Sequence, residues 1–369
     1  MRVALDVSAV PTQLTGAGRY VVEIAKRLPS TGREVTLVSR RGDEERWRAW
    51  SSAPVVGLVP TGRAARLWYE AWRLGTSDAA RAADVWHGPH YTMPHRGATP
   101  SVVTIHDLTF FTHPQWHERA KVAYFQRAIR YSARHAGALI AVSAATARLI
   151  EEIVPGHAPV VTAPHGVDLE AFSLAGEEDA SVFERAGLPP DAAYVLFVGT
   201  LEPRKGLDVL IAAFDEVARD RPGLELWIAG KAGWGETPEI VSRAGTHQRI
   251  RRLGFVDQAV LPALMRRARC VAYPSWAEGF GLPVLEALAC GAIVVTSAGT
   301  VMEEIAGGHA LLADAGDVAA LGAALVEADE LDEATRALRA RSARRHAERY
   351  TWEASVARHL EAYDLAAGI

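Results

Sequence analysis

Two glutamates, Glu278 and Glu286, stand eight positions apart in the stretch YPSWAEGFGLPVLEALACG, which runs from Tyr273 to Gly291. An apolar run ending at Ala272-Tyr273 reads as a buried strand, Gly279-Phe280-Gly281 as a turn, and Pro283 as the first position of a helix. Glu278 then sits in the loop and Glu286 about one turn into the helix. A helix N-terminus offers unpaired N–H groups and a partial positive charge, which favour a phosphate or a developing oxyanion. Carboxylates beside such a spot repel phosphate unless they point at hydroxyls. The arrangement therefore suits a phosphorylated sugar or a nucleotide sugar, with amides for the anion and carboxylates for the polyol.

A second constellation lies upstream. The apolar strand Tyr194–Val198 runs into Gly199-Thr200-Leu201-Glu202-Pro203-Arg204-Lys205-Gly206 and a helix reaching about Ala218. Adjacent Arg204 and Lys205 at a helix start suit a diphosphate, two cations over backbone amides. After the first strand, Arg2–Val7, the loop Thr15-Gly16-Ala17-Gly18-Arg19 opens a helical pattern, and Gly16 and Gly18 let backbone approach a ligand. Position 21 is Val, so the third glycine of a nicotinamide fingerprint is missing. The strand Ser101–Ile105 ends at His106 and Asp107, where parallel sheets place ligand groups. Asp107 either orients the His106 ring or caps the following turn. His87, His90, His113 and His117 lie in unrelated segments and no D-x-D pair is present, so a metal centre is not expected.

These residues need a scaffold of alternating strands and helices. The chain has 369 residues, 49% of them hydrophobic, enough for two ordinary domains each with its own core. Further strands are expected at Val35–Ser39, Asp84–His87, Ala138–Val142, Val160–Ala163, Leu224–Gly230, Ile250–Val256 and Ala292–Thr296, with Lys231 and Gly233-Trp234-Gly235 forming a ligand-facing loop. The pattern argues for two doubly wound α/β domains facing a cleft. The polar stretch Ser173–Ala180 reads as the linker, giving domains 1–172 and 173–349 and a C-terminal helix, 350–369, that crosses back.

A net charge of -4 excludes a global argument for nucleic acid, although residues 1–170 carry 20 lysines and arginines against 15 acids. The helical stretches Arg63–Arg73, with Trp68 and Trp72, and Arg119–Arg134 admit two readings: peripheral contact with a membrane surface, or core packing with snorkelling arginines. No run of 18 apolar residues occurs, so no transmembrane segment is expected and the default compartment is the cytoplasm. Cys270 and Cys290 read as inert core thiols.

Taken together, TIHDLTF, PHGVD, GTLEPRK and EGFGLPVLEALACG occur in the order found in glycosyltransferase family 4, which the whole chain resembles. The resemblance implies the GT-B fold, two Rossmann-like domains, and a retaining, metal-independent hexosyltransferase without a cofactor. It gives Arg204 and Lys205 to the donor diphosphate, Glu278 to the sugar hydroxyls and Glu286 to the ribose, with Phe280 and Gly281 amides assisting and Gly279 and Leu282 beside them. It gives His106 to the donor sugar, Gly16 and Gly18 to the phosphate and acceptor side, and Gly199 and Phe255 to the rest of the donor pocket. WHGPHYTMPHR and TIHDLTF resemble bacterial mannosyl- or rhamnosyltransferases of polysaccharide assembly, which makes GDP-mannose the first donor and a glycan or lipid-linked acceptor the partner, with the enzyme in the cytoplasm or peripheral on the inner face of the cell membrane. A UDP-hexose donor and a non-catalytic nucleotide-sugar-binding protein are the alternatives.

Overall fold

The computed structural model describes residues 1–12, 14, 16–233 and 249–369. Thr15, Trp234 and Gly235, named above in two ligand loops, lie outside the described residues. The chain divides into two units, residues 1–166 with 352–369, and residues 167–351.

The first unit holds β1 (Arg2–Asp6), β2 (Glu34–Arg40), β3 (Val55–Val59), β4 (Val85–Gly88), β5 (Ser101–Ile105), β6 (Ala138–Ala141) and β7 (Val160–Thr162). They form one sheet in the order β3-β2-β1-β4-β5-β6-β7, every pairing parallel. Strands covered by helices on both faces carry continuous apolar runs, and β4, β5 and β6 are buried at every position. Strand order reverses between β1 and β4, so the carboxyl ends of these strands flank the crevice where such sheets place ligands.

The second unit holds β8 (Ala193–Val198), β9 (Leu224–Ala229), β10 (Ile250–Gly254), β11 (Cys270–Tyr273), β12 (Val294–Ser297) and β13 (Ala310–Ala313). The order is β10-β9-β8-β11-β12-β13, again parallel throughout, with its switch point between β8 and β11. Both units are thus doubly wound Rossmann-like domains. β3 and β13 had no counterpart in the sequence reading.

The final helix, Trp352–Ala367, belongs to the first unit, where Trp352, Val356, Ala362 and Tyr363 share a core with Tyr20, Ile24 and Ile140. The division after Gly166 corrects the boundary expected at 172. Val167 donates its N–H to Tyr350 O at 3.0 Å, and the Arg344 guanidinium donates to the Phe172 and Leu169 carbonyls at 2.6 and 3.2 Å, which ties 167–172 into the second unit. The supposed linker 173–180 is anchored to the second unit at Ser173 and Asp179, although most of its residues are exposed. Asp179 is 5% exposed and receives Arg266 Nη2 at 2.6 Å, while Arg266 Nη1 reaches Ser173 O at 2.9 Å. Of the three acids in this stretch, Glu177 and Glu178 face solvent, and Asp179 forms the buried ion pair. At the first strand-to-helix turn, the helix Gly16–Arg27 begins earlier than expected, so Gly16 and Gly18 lie in its first turn and not in a loop.

Candidate functional site

In the second unit, the carboxyl ends of β8 and β11 bring together Glu202, Arg204, Lys205, Tyr273 and Glu278. Pro203–Lys205 forms a single tight turn that ends at Gly206, which has φ +63. A Cβ there would lie 2.2 Å from Pro274 O, so the cation turn and the loop after β11 touch only because residue 206 is glycine. Trp276 N–H donates to Arg204 O at 2.8 Å, fixing the two loops to each other.

The side chains complete the clamp. Arg204 Nη1 donates to Glu278 Oε2 at 2.6 Å and Arg204 Nε to Glu202 Oε1 at 2.6 Å. Lys205 Nζ donates to Glu278 Oε1 and, at 2.5 Å, to the Tyr273 hydroxyl, which in turn donates to Glu278 Oε1 at 3.0 Å. Burial alone would raise the Glu278 pKa, but Arg204 and then Lys205 outweigh it and hold the carboxyl at about 2. Lys205 is shifted downward by burial and by Arg204, against the pull of Glu278. The cluster holds two cations, Arg204 and Lys205, balanced by two carboxylates, Glu202 and Glu278.

Pro283 occupies the second position of the helix Leu282–Ala289, not the first, because Gly281 with φ +90 supplies the cap. Glu286 lies in that helix and is 4% exposed. Phe280 is also buried, its ring 6.2 Å from Tyr350 in an edge-to-face contact. Phe255, just after β10, is 69% exposed and leaves an aromatic face open to a flat ligand. Gly199 follows β8, its backbone approached by Gly230, where a Cβ would meet Gly199 O at 1.7 Å.

In the first unit, His106 ends β5 and is buried. Its Nε2–H donates to Pro89 O at 2.7 Å, and burial lowers its pKa, so the neutral ring presents Nδ1 as an acceptor. Asp107 Oδ1 accepts from Thr109 N and Oγ1 at 3.0 and 2.7 Å, which makes it a cap of the next turn. Behind His106 runs a directed hydrogen-bond chain. His359 Nδ1 must donate to Ser355 O at 2.7 Å, so its Nε2 accepts from Tyr20 at 2.7 Å. Tyr20 then accepts from Thr104 at 2.8 Å, Thr104 from His87 Nε2 at 2.8 Å, and His87 Nδ1 from Tyr363 at 2.8 Å. The Tyr20 ring stands edge-on to His106, centroids 5.1 Å apart.

Beside these lie Asp6, Ser8, Arg66 and Glu70. Ser8 Oγ and Arg66 Nη1 both donate to Glu70 Oε1, at 3.1 and 2.9 Å. Burial, then the neighbouring Asp6, push Glu70 up to about 7. The sequence reading named neither Glu70 nor the Tyr20 chain, and it gave Glu202 and Tyr273 no role. For Glu202 a signal existed, an acid two positions before the arginine. For Tyr273 it was the hydroxyl at the end of an otherwise apolar strand.

At the carboxyl ends of its strands, then, the chain combines a cation pair with carboxylates on a doubly wound scaffold, and known proteins share both sequence and fold. The pattern of Glycosyltransferase Family 4 matches residues 14–171, and that of Glycosyl transferases group 1 matches residues 192–329. The chain is 29% identical to O-antigen chain mannosyltransferase B of Escherichia coli, over 99% of this chain and 100% of that one. It is 30% identical to D-inositol 3-phosphate glycosyltransferase of Salinispora tropica, over 97% of this chain and 84% of that one. Among solved structures, Anabaena Alr3699/HepE in complex with UDP-glucose superposes with a TM-score of 0.77 at 21% identity, covering 98% of this chain and 99% of that one.

Proposed function

The chain belongs to glycosyltransferase family 4 and is a glycosyltransferase using a nucleotide sugar, and we propose that it transfers mannose from GDP-mannose to an acceptor hydroxyl with retention, forming an α linkage. The observation that carries this reading is the clamp of Arg204, Lys205 and Glu278 at one strand end. The cations take the diphosphate and stabilise charge on the leaving group. A carboxylate has about four acceptor sites, of which Arg204, Lys205 and Tyr273 use three, so Glu278 retains room for a sugar hydroxyl. Glu286 serves the ribose hydroxyls, the Phe280 and Gly281 amides assist, and Gly279 and Leu282 line the same turn. Phe255 flanks the base and Gly199 the diphosphate. In the first unit, His106 Nδ1 accepts a donor-sugar hydroxyl, and Gly16 leaves the exposed helix start open to the phosphate and acceptor, with Gly18 packed beneath it against Leu14 and Val10.

Glu278 is not a covalent nucleophile or general base on this reading. A carboxylate held at about 2 is a feeble base at neutral pH, and it is already bonded on both oxygens. The acceptor oxygen bonds C1 on the face from which the diphosphate departs, and the leaving phosphate oxygen takes the acceptor proton. No metal or cofactor is required, since Arg204 and Lys205 supply the charge.

Full-length likeness to an O-antigen mannosyltransferase supports mannose and a glycan or lipid-linked acceptor. Among the described residues no helix is long and apolar enough to cross a membrane. Exposed Trp68 and Trp72, 58% and 42% accessible, support peripheral contact with the cytoplasmic face of the cell membrane. Calorimetric titration tests the donor: GDP-mannose is expected to bind at least about tenfold more tightly than UDP-glucose. The reverse order would replace GDP-mannose by a UDP-hexose, and binding of either without nucleotide release on any acceptor would leave a binding protein.

A further inference from the structure

We propose that Tyr273 is a positioning residue of the donor site, whose hydroxyl holds Glu278 toward the sugar while Lys205 engages the diphosphate. The inference rests on the nucleotide-sugar reading above. Tyr273 ends β11, is 1% exposed, and stacks on Phe197 with ring centroids 6.3 Å apart. The Lys205 ammonium lies 5.0 Å from the centre of the same ring.

The polarity of its hydroxyl is fixed by its neighbours. An ammonium can only donate, so the Tyr273 oxygen accepts from Lys205 at 2.5 Å; a carboxylate can only accept, so the Tyr273 proton goes to Glu278 Oε1 at 3.0 Å. Burial, with Glu278 beside it, raises the tyrosine far above its ordinary pKa, so it remains a neutral donor at every working pH. In the structure Glu278 is bound by both cations. An incoming diphosphate competes for those cations, and a carboxylate held by them alone would turn with them. Tyr273 carries no charge to be drawn away, and its ring is locked between Phe197 and the cation turn. It therefore keeps Oε1 in place as the cations change partner, leaving the free acceptor capacity of Glu278 for a sugar hydroxyl.

A purely structural tyrosine would weaken every ligand alike. The positioning role separates the sugar from the diphosphate. In the full chain, Tyr273→Phe keeps the ring and removes the hydroxyl, so folding is checked by an unchanged thermal midpoint with GDP bound. Titrated with GDP and with GDP-mannose, and with UDP and UDP-glucose in parallel, the variant is expected to bind each nucleoside diphosphate within about twofold of the parent. Its affinity for the preferred nucleotide sugar is expected to fall about tenfold or more. Should Tyr273→Phe fail to fold, Tyr273→His, which retains a ring N–H donor, is expected to restore part of the sugar preference over Tyr273→Leu. Equal losses for both ligand types, or no loss for either, overturn the role of Tyr273 while leaving the donor reading intact. A parent chain that binds none of the four ligands overturns both.

Discussion

Arg204 and Glu278, 74 positions apart in the chain, meet at 2.6 Å between Nη1 and Oε2. With Lys205 on the other carboxylate oxygen, this pair keeps Glu278 ionised against the penalty of burial, at a pKa of about 2. The carboxylate is therefore an anion across the whole working range and serves as a fixed acceptor. Glu278→Gln preserves the shape but turns one acceptor into an N–H donor facing a cation. Loss of a charge-assisted bond and a new repulsive contact are expected to lower kcat/KM about a hundredfold, measured as nucleotide release from the preferred donor. Parental turnover in the variant would remove Glu278 from the site.

The same pair makes a statement about acid stability. Glu278 is lowered from its ordinary 4.5, so its contribution is fully present above that value and is lost as pH falls through about 2. Between pH 4.5 and 2 the parent is expected to lose more stability than Glu278→Gln, measured by denaturant unfolding. Parallel pH profiles for the two proteins would contradict it.

The first unit is expected to be acid-labile at milder pH. His87, His90, His106, His165 and His359 all have pKa values lowered by burial, His90 to about 3 and His359 to about 4, from 6.5. A histidine held neutral in the fold stabilises above its unfolded pKa, and that stability drains away as pH falls below it, because the unfolded chain binds protons the folded chain refuses. Each such histidine steepens the loss by up to about 1.4 kcal/mol per pH unit. Thermal midpoints should therefore fall steadily from pH 7 to 5, with amide exchange rising first in Trp352–Ala367. A midpoint flat over this range would show that these imidazoles titrate normally.

Much of this was legible in the sequence, and the reasons differ by residue. Arg204, Lys205 and Glu278 lie in short runs bracketed by glycines after apolar strands, so local pattern alone places them at strand ends. The pairing among them was not readable: the cations were expected to leave Glu278 for hydroxyls, and they bind it. The chain from Tyr363 through His87, Thr104 and Tyr20 to His359 joins two helices and two strands, with partners up to 339 positions apart, and no local periodicity encodes it. Asp179 was misread as linker because its partner Arg266 is 87 residues on. Gly16 and Gly18 look like loop residues by type, yet a helix start tolerates glycine where close packing asks for no side chain, and Gly18 is buried against Leu14 and Val10.

Membrane contact has its own test. The helix Arg63–Trp72 turns Glu70 inward and leaves Trp68 and Trp72 exposed, and Tyr124 is 39% exposed on Arg119–His135. Indoles at a surface partition into the headgroup region, and neighbouring arginines favour anionic lipid. Co-sedimentation with vesicles containing phosphatidylglycerol should capture the parent, and replacing both Trp68 and Trp72 by Ser should lower the bound fraction about fivefold or more. Equal binding by parent and variant would assign the two indoles to solvent.

Glu70 works in the opposite sense from Glu278. Both are buried glutamates with an arginine partner, but Glu70 faces Asp6, while Glu278 faces a second cation. Burial and the like charge lift Glu70 from 4.5 to about 7, so between these values the folded chain holds a proton that the unfolded chain has released. Stability present at low pH is consequently lost as pH rises through about 7, and above it the carboxylate is a net cost. Glu70→Gln keeps an amide oxygen for Ser8 and Arg66 and removes the charge beside Asp6. At pH 8 the variant is expected to melt roughly 2–4 °C above the parent, with the gap closing toward pH 5. A variant that melts lower at pH 8 would mean that the Arg66 ion pair outweighs repulsion from Asp6.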